Sequence, residues 1–217
     1  MNEEALRAIL EDFVAQLTAL LEQLPQEPVA AEGTETASIG PEELTKRALL
    51  ELIEHESIVL EAYKDSKGVW TWGIGVTDAS GHRVGRYKDN PQTVEKVIEI
   101  FKWLVEKKYL PAVLEAFDEP LNEHQLAAAL SFHYNTGAIK RASWVKSFNA
   151  GNIDKAKAEF MNWVTPKEIT ERRRKERDLF FDGKWTNDGF VTVFPVSKPS
   201  YRPNFKKGKS VDIREDL

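Results

Sequence analysis

The chain changes pattern once. Between two stretches of helical periodicity lies AYKDSKGVWTWGIGVTDASGHRVGR, residues 62–86, rich in Gly, Thr, Val and aromatic residues. Such a block reads as short strands joined by tight turns. On its N-terminal side a helix is predicted from Pro41 to about Leu60. Gly40-Pro41 punctuates its start, Glu42 and Glu43 occupy the first turn, and Leu44, Leu49, Leu52 and Ile53 share a face. Beyond Pro91 helical periods return at 92–108, 111–117, 122–148 with breaks near Gly137 and Ala142, 152–163 and 167–181. One sheet-forming block among helices restricts the fold class to α+β, a small antiparallel β-sheet lobe beside a mainly α-helical lobe.

The ends differ from this body. Leu6, Ile9, Leu10, Phe13, Leu17, Leu20, Leu21 and Leu24 trace one stripe, so residues 1–24 are expected as an extra amphipathic acidic helix. Residues 25–40, with Pro, Gly, Ala, Ser and Thr but no apolar period, read as a flexible linker. The main body is then 41–190, and 191–217 is expected as an irregular basic C-terminal tail carrying Lys198, Arg202, Lys206, Lys207 and Lys209. Charge supports the division: residues 1–45 hold ten acids and one base, whereas residues 46–217 hold 29 bases and 25 acids. The net charge of −5 therefore belongs to the N-terminal appendage. With no cysteine, the chain has no disulfide framework, no thiolate metal site and no cysteine nucleophile. His55, His82, His124 and His133 form no metal-binding spacing, and no metal or other cofactor is expected. The N-terminus is acidic where a secretory signal is basic, and charges interrupt every apolar stretch too early for a membrane span.

Two carboxylates border the change of pattern. Glu56 stands at the predicted helix end and Asp65 opens the Lys-Asp-Ser-Lys-Gly turn; eight residues separate them, and five more lead to Thr71. Hydrolysis of a glycosidic bond uses one carboxyl group as a proton donor and a second, ionised one to handle water. A polar turn suits the ionised member, and the end of an apolar helix suits the donor. Solvated surface acids are nevertheless far commoner than catalytic pairs. Trp70 and Trp72 flank Thr71 on a strand and so point to its opposite face, where packing is the expected role.

The wider motif EHESIVLEAYKDSKGVWTWGIGVT, with its T-x-G-x-G strand at Thr71, Gly73 and Gly75, resembles the phage-type lysozymes, the endolysin muramidases of glycoside hydrolase family 24. The resemblance continues through LNEHQLAAALSFHYNTGAIKRASWVKSFNAGNIDKAKAEFMNWV and ERRRKERDLFFDGKW, about residues 44–185. Val76 departs from it, since many relatives carry His there. The resemblance implies a lysozyme-like fold and a peptidoglycan N-acetylmuramidase, inverting, with Glu56 as general acid and Asp65, helped by Thr71, activating water. It further implies substrate contacts at Phe132, His133, Asn135 and Ser143, and an Arg of the closing helix, Arg172 by counting back from the Gly-x-Trp end, reaching Glu56 to tune its protonation. For the rest of the Arg run a solvated helix face is expected.

Alternatives stay open at this level. A lytic transglycosylase would use one Glu and leave anhydro ends, and a virion- or assembly-tethered wall-binding protein would keep only the fold. Peptidoglycan is the expected partner, with self-association or protein docking through the N-terminal helix, and no nucleic acid. The expected location is the host cytoplasm until holin-dependent release, or a phage particle.

Overall fold

The computed structural model describes residues 44–217. The helix expected at 1–24, the linker at 25–40 and the boundary at Pro41 lie outside the described residues.

Helix α1 (Lys46–Glu54) starts where Thr45 turns its hydroxyl back to accept from the Ala48 N–H at 3.0 Å. It buries Ala48, Leu49, Leu52 and Ile53. The helix stops six residues short of the predicted end. Glu56 therefore sits in the turn beyond it, with its N–H on the Ile53 carbonyl at 3.0 Å. The β-branched pair Ile58-Val59 explains the difference, because both residues are claimed by strand pairing: Ile58 by Thr192, and Val59 by Gly73.

Strands β1 (Val59–Lys64), β2 (Trp70–Gly73) and β3 (Val76–Thr77) form an antiparallel sheet in that order. Tyr63 pairs with Thr71 and Lys64 with Trp70, so Tyr63 and Thr71 share one face and Trp70 the other. Trp72 is fully buried, stacked 3.9 Å from Tyr87, and its indole N–H reaches the Leu60 carbonyl at 3.0 Å. The two glycines of T-x-G-x-G both have positive φ. A Cβ on Gly73 would stand 3.0 Å from Val97, and one on Gly75 3.3 Å from the Tyr134 hydroxyl. Tyr134 donates that hydroxyl to the Ile74 carbonyl, which fastens the sheet to the helical lobe. Val76 is buried opposite Trp72.

The helical lobe contains α2 (Val94–Leu104), α3 (Leu110–Ala116), α4 (Glu123–Thr136), α5 (Ser143–Asn149), α6 (Ile153–Phe160) and α7 (Thr170–Asp182). One π-helical turn, Val105–Tyr109, joins α2 to α3 and accommodates Pro111, which has no N–H to return to the preceding turn. Helix α4 begins in a reciprocal Asn122/Gln125 capping box and ends at Gly137 with φ +63°. It is packed on most sides, with Leu126 through Phe132 all buried. Around it Phe132, Trp144, Phe160 and Phe180 make an aromatic core, Trp144 lying 4.5 Å from Phe160 and 5.0 Å from Phe180. Each such pair adds about 0.5–1.5 kcal/mol beyond the area it buries.

The tail corrects an expectation. Residues 191–217 are not irregular: β4 (Phe190–Val193) pairs antiparallel with β7 (Lys209–Asp212), and β5 (Val196–Ser197) with β6 (Arg202–Pro203). The boundary at 190 falls inside β4. Val191 and Ile213 join the core, and Ile58 is gripped by the Thr192 carbonyl and the Phe194 N–H at 3.1 and 2.8 Å. Buried Glu51 on α1 holds the approach to this ribbon, accepting from the N–H and side chain of both Thr186 and Asn187. Among the described residues no helix is long and apolar enough to cross a membrane, and no cluster of three or more metal-ligating side chains occurs.

Candidate active site

Glu56 lies where α1, the sheet and α7 meet. Its Oε1 accepts from the Arg172 Nη1 at 2.6 Å, the side chains being 23% and 12% exposed. Arg172 is itself held from three sides. Its Nε donates to Glu176 Oε1 at 2.9 Å, and its Nη2 lies 3.3 Å from both the carbonyl and the hydroxyl of Ser131. Burial works against its charge, but Glu56 and Glu176 outweigh that and raise its pKa above the ordinary arginine value.

Glu176 is fully buried and serves two arginines. Besides Arg172 it pairs with Arg173, also fully buried, and it accepts the Ser131 hydroxyl at 2.6 Å. Arg172 reaches Glu56 and Arg174 is solvated, whereas the solvated face expected for Arg173 is corrected: Arg173 is fully buried between α7 and α4. The spacing carried a signal, since Glu176 stands three and four positions after the two arginines, where side chains on a helix meet.

Across the sheet, Asp65 is fixed by its own turn. Its Oδ1 accepts from the N–H groups of Lys67 and Val69 at 2.9 and 2.8 Å. This Asx geometry engages one of the two carboxylate oxygens. Thr71, 3% exposed, donates to the Val69 carbonyl at 3.2 Å. Tyr63, the cross-strand neighbour of Thr71, registers both acids: burial first, then the negative fields of Glu56 and Asp65, push its hydroxyl up to about 12. Tyr109 and Tyr134 are likewise raised by burial and by Glu56. Three protonated phenols therefore gather near Glu56, a feature that sequence reasoning missed.

The expected substrate contacts fare unequally. Phe132 is corrected: it is fully buried among Trp144, Phe160 and Trp163 and carries Arg173 at 4.8 Å over its ring, so it is core. His133 lies half-buried at the edge of Tyr109, 5.4 Å between rings, with Nδ1 lacking a partner among the described residues. Asn135 is exposed, and its Oδ1 accepts from Arg173 Nη2 at 2.6 Å. Ser143 is exposed at the start of α5, on a different element from the groups around Glu56.

These parts are two acids in unlike settings, one against a guanidinium and one in a backbone-bonded turn, beside a sheet with two obligatory glycines. The sequence model of the phage lysozyme family matches residues 53–176, which contain all of them. This chain belongs to the phage lysozyme family. The Salmonella phage P22 endolysin is 27% identical over 147 residues, 64% of this chain and 97% of that protein. The Bacillus phage B103 endolysin is 29% identical over 112 residues, 48% of this chain; the chain spans 43% of that protein's length. The solved endolysin of Escherichia coli O157:H7 phage FAHEc1 superposes with TM-score 0.60 at 28% identity, covering 67% of this chain and 97% of that one. Its fold is thus that of the family, with the β4–β7 ribbon added beyond the matched segment.

The burial of His55, beside Glu56, predicts a pH-dependent stability. Burial, reinforced by Arg172, Lys175 and Arg173, lowers its pKa from 6.5 to about 3, and its Nε2 has no partner among the described residues. Between those values the unfolded chain binds a proton that the folded one refuses. Stability is therefore expected to fall as the pH drops from 6.5 towards 3, by up to about 1.4 kcal/mol per pH unit. Urea melts at pH 7 and pH 5 measure it. In His55→Phe this part of the slope is expected to vanish; an unchanged slope would assign it to other groups.

Proposed function

We propose that the chain is a peptidoglycan N-acetylmuramidase that hydrolyses the β-1,4 bond between N-acetylmuramic acid and N-acetylglucosamine with inversion. The observation that carries this reading is the contrast between Glu56, held at 2.6 Å by a largely buried Arg172, and Asp65, pinned by two backbone N–H groups, with Tyr63 sensing both. Glu56 donates a proton to the leaving oxygen. Asp65 and the Thr71 hydroxyl orient water on the opposite face of the sugar, and the Asp65 carboxylate accepts its proton as the bond breaks. Arg172 keeps Glu56 in position and supplies positive charge beside it as that proton leaves. We assign His133 and Asn135, both on α4, as polar contacts for the glycan.

Clearing of permeabilised cells, followed by mass spectrometry of the released fragments, tests the reaction. Reducing muramic ends are expected, and anhydro ends would replace the hydrolase reading with a transglycosylase. NMR of the fresh product is expected to show the inverted anomer first. Asp65→Asn keeps an oxygen for the Lys67 and Val69 N–H groups, so the melting temperature is expected to hold while turnover falls about 10²- to 10⁴-fold. Full activity in that variant would remove Asp65 from the mechanism. Two delivery routes fit a phage-encoded enzyme, retention in the host cytoplasm until a holin opens the membrane and carriage on the particle. Immunoblotting of purified particles separates them.

A further inference from the structure

The two acids stand at opposite ends of one strand. Glu56 precedes β1 by three residues and Asp65 follows it directly, so the path of β1 sets how far apart they are held. Pairing with β2 does not fix that path alone. Between the Val59–Gly73 and Tyr63–Thr71 pairs, four steps along β1 pass against two along β2, which bulges the strand at its middle. The other edge of β1 is held by the C-terminal ribbon, which lies beyond the family-matched residues 53–176. It grips at three places. Ile58 bonds to Thr192 and Phe194 through its N–H and its carbonyl. The Glu61 carboxylate accepts from Lys198, and also from the Asp89 N–H at 2.9 Å. The Lys64 N–H, next to Asp65, donates to the Tyr201 carbonyl at 2.6 Å.

Tyr201 makes the last grip from an uncommon conformation. Its φ of +55° is left-handed, and for a residue with a large side chain such a backbone persists only where its surroundings impose it. Three contacts impose it here. The ring packs T-shaped against Trp70 with 5.3 Å between centroids, Lys198 Nζ lies 4.4 Å over the ring, and the hydroxyl donates to Asp89 at 2.8 Å. Asp89 is itself left-handed at φ +56°, and Lys198 joins it to Glu61. Two left-handed residues thus meet in one hydrogen bond. What they aim is the carbonyl that receives the amide preceding Asp65.

We propose that Tyr201 is a positioning residue for Asp65: it clamps the end of β1 and, with the grip on Ile58 at the other end, sets the separation of the two acids. The proposal rests on the muramidase reading for the roles of those acids. Tyr201 acts through Lys64, whose amide it holds. Inversion needs room for one water between the base and the sugar, so slack at this end of β1 misplaces the attacking water. Its effect is therefore on kcat, with KM held.

Tyr201→Gly in the full chain tests it, because Gly adopts the left-handed backbone and only the ring and hydroxyl are lost. At a temperature where circular dichroism shows wild type and variant folded, kcat on peptidoglycan is expected to fall about 10- to 10²-fold with KM held. Hydrogen exchange of the Lys64 amide is expected to quicken about tenfold. Tyr201→Phe keeps the ring on Trp70 and loses only the bond to Asp89, so it is expected to fall between the two in both readouts. Wild-type kcat in a folded Tyr201→Gly overturns the proposal, whatever its melting temperature, and so does a loss of kcat with Lys64 exchange unchanged. If the Gly variant does not fold, the Phe variant decides by the same two readouts. If the wild type cleaves no peptidoglycan, the muramidase reading fails, and Lys64 exchange alone decides whether Tyr201 clamps the end of β1.

Discussion

Glu56→Gln is expected to reduce peptidoglycan hydrolysis about 10²- to 10⁴-fold while leaving a folded protein, because the amide keeps the shape of the acid but has no proton to give. The surroundings support the second half of that expectation. Arg172 retains Glu176 and both oxygens of Ser131 when the Glu56 charge is removed, so no buried guanidinium is stranded. Circular dichroism and melting of the variant are expected to match the wild type within a few degrees. Wild-type activity in Glu56→Gln would sink the role assigned to this residue. Loss of activity together with loss of folding would point instead to a structural role for the ion pair.

Glu176→Ala is expected to cost far more stability than the catalytic substitution. It strips the shared counter-charge from Arg173, which is fully buried, and from Arg172, which is 12% exposed, and it leaves the Ser131 hydroxyl without its acceptor. Breaking a buried ion pair by removing one partner costs about 3–5 kcal/mol, which in a domain of this size lowers the melting temperature by about 6–20 °C. Glu176→Gln separates positioning from folding. It keeps an acceptor for Ser131 or one guanidinium, so it is expected to melt higher than the Ala variant. With Arg172 less firmly aimed, kcat is expected to fall while KM is held. A Gln variant with unchanged kcat would restrict Glu176 to a structural role.

The sequence marked the candidate residues better than the supports around them. The single change of pattern at residues 62–86 located the sheet, and the Glu56, Asp65 and Thr71 spacing located the candidate acids, because local periodicity and turn composition are written in neighbouring residues. Counting back from the Gly-x-Trp end also singled out Arg172, whose guanidinium is 2.6 Å from Glu56. Phe132 was misread because α4 is packed on most sides, so no apolar stripe distinguishes its inner face from its outer one. Arg173 was read as solvated since hydropathy weighs residues singly, whereas buried charges occur only as partners. The tail was misread for a similar reason: β4 and β7 pair across an intervening ribbon, with Pro195, Pro199 and Pro203 between them and no short turn to announce the pairing.

The grip of that ribbon on Ile58 bears on the order in which the molecule is built. Ile58 follows Glu56 by two residues, yet its backbone partners are Thr192 and Phe194, about 135 positions later. A ribosome adding about 5–20 residues per second needs roughly 7–27 s to supply them. During that interval the residues of α1 and β1 have been made, but the link between them that carries Glu56 lacks its brace. A nascent chain stalled at residue 176 would contain every candidate catalytic residue and still lack the brace beside Glu56.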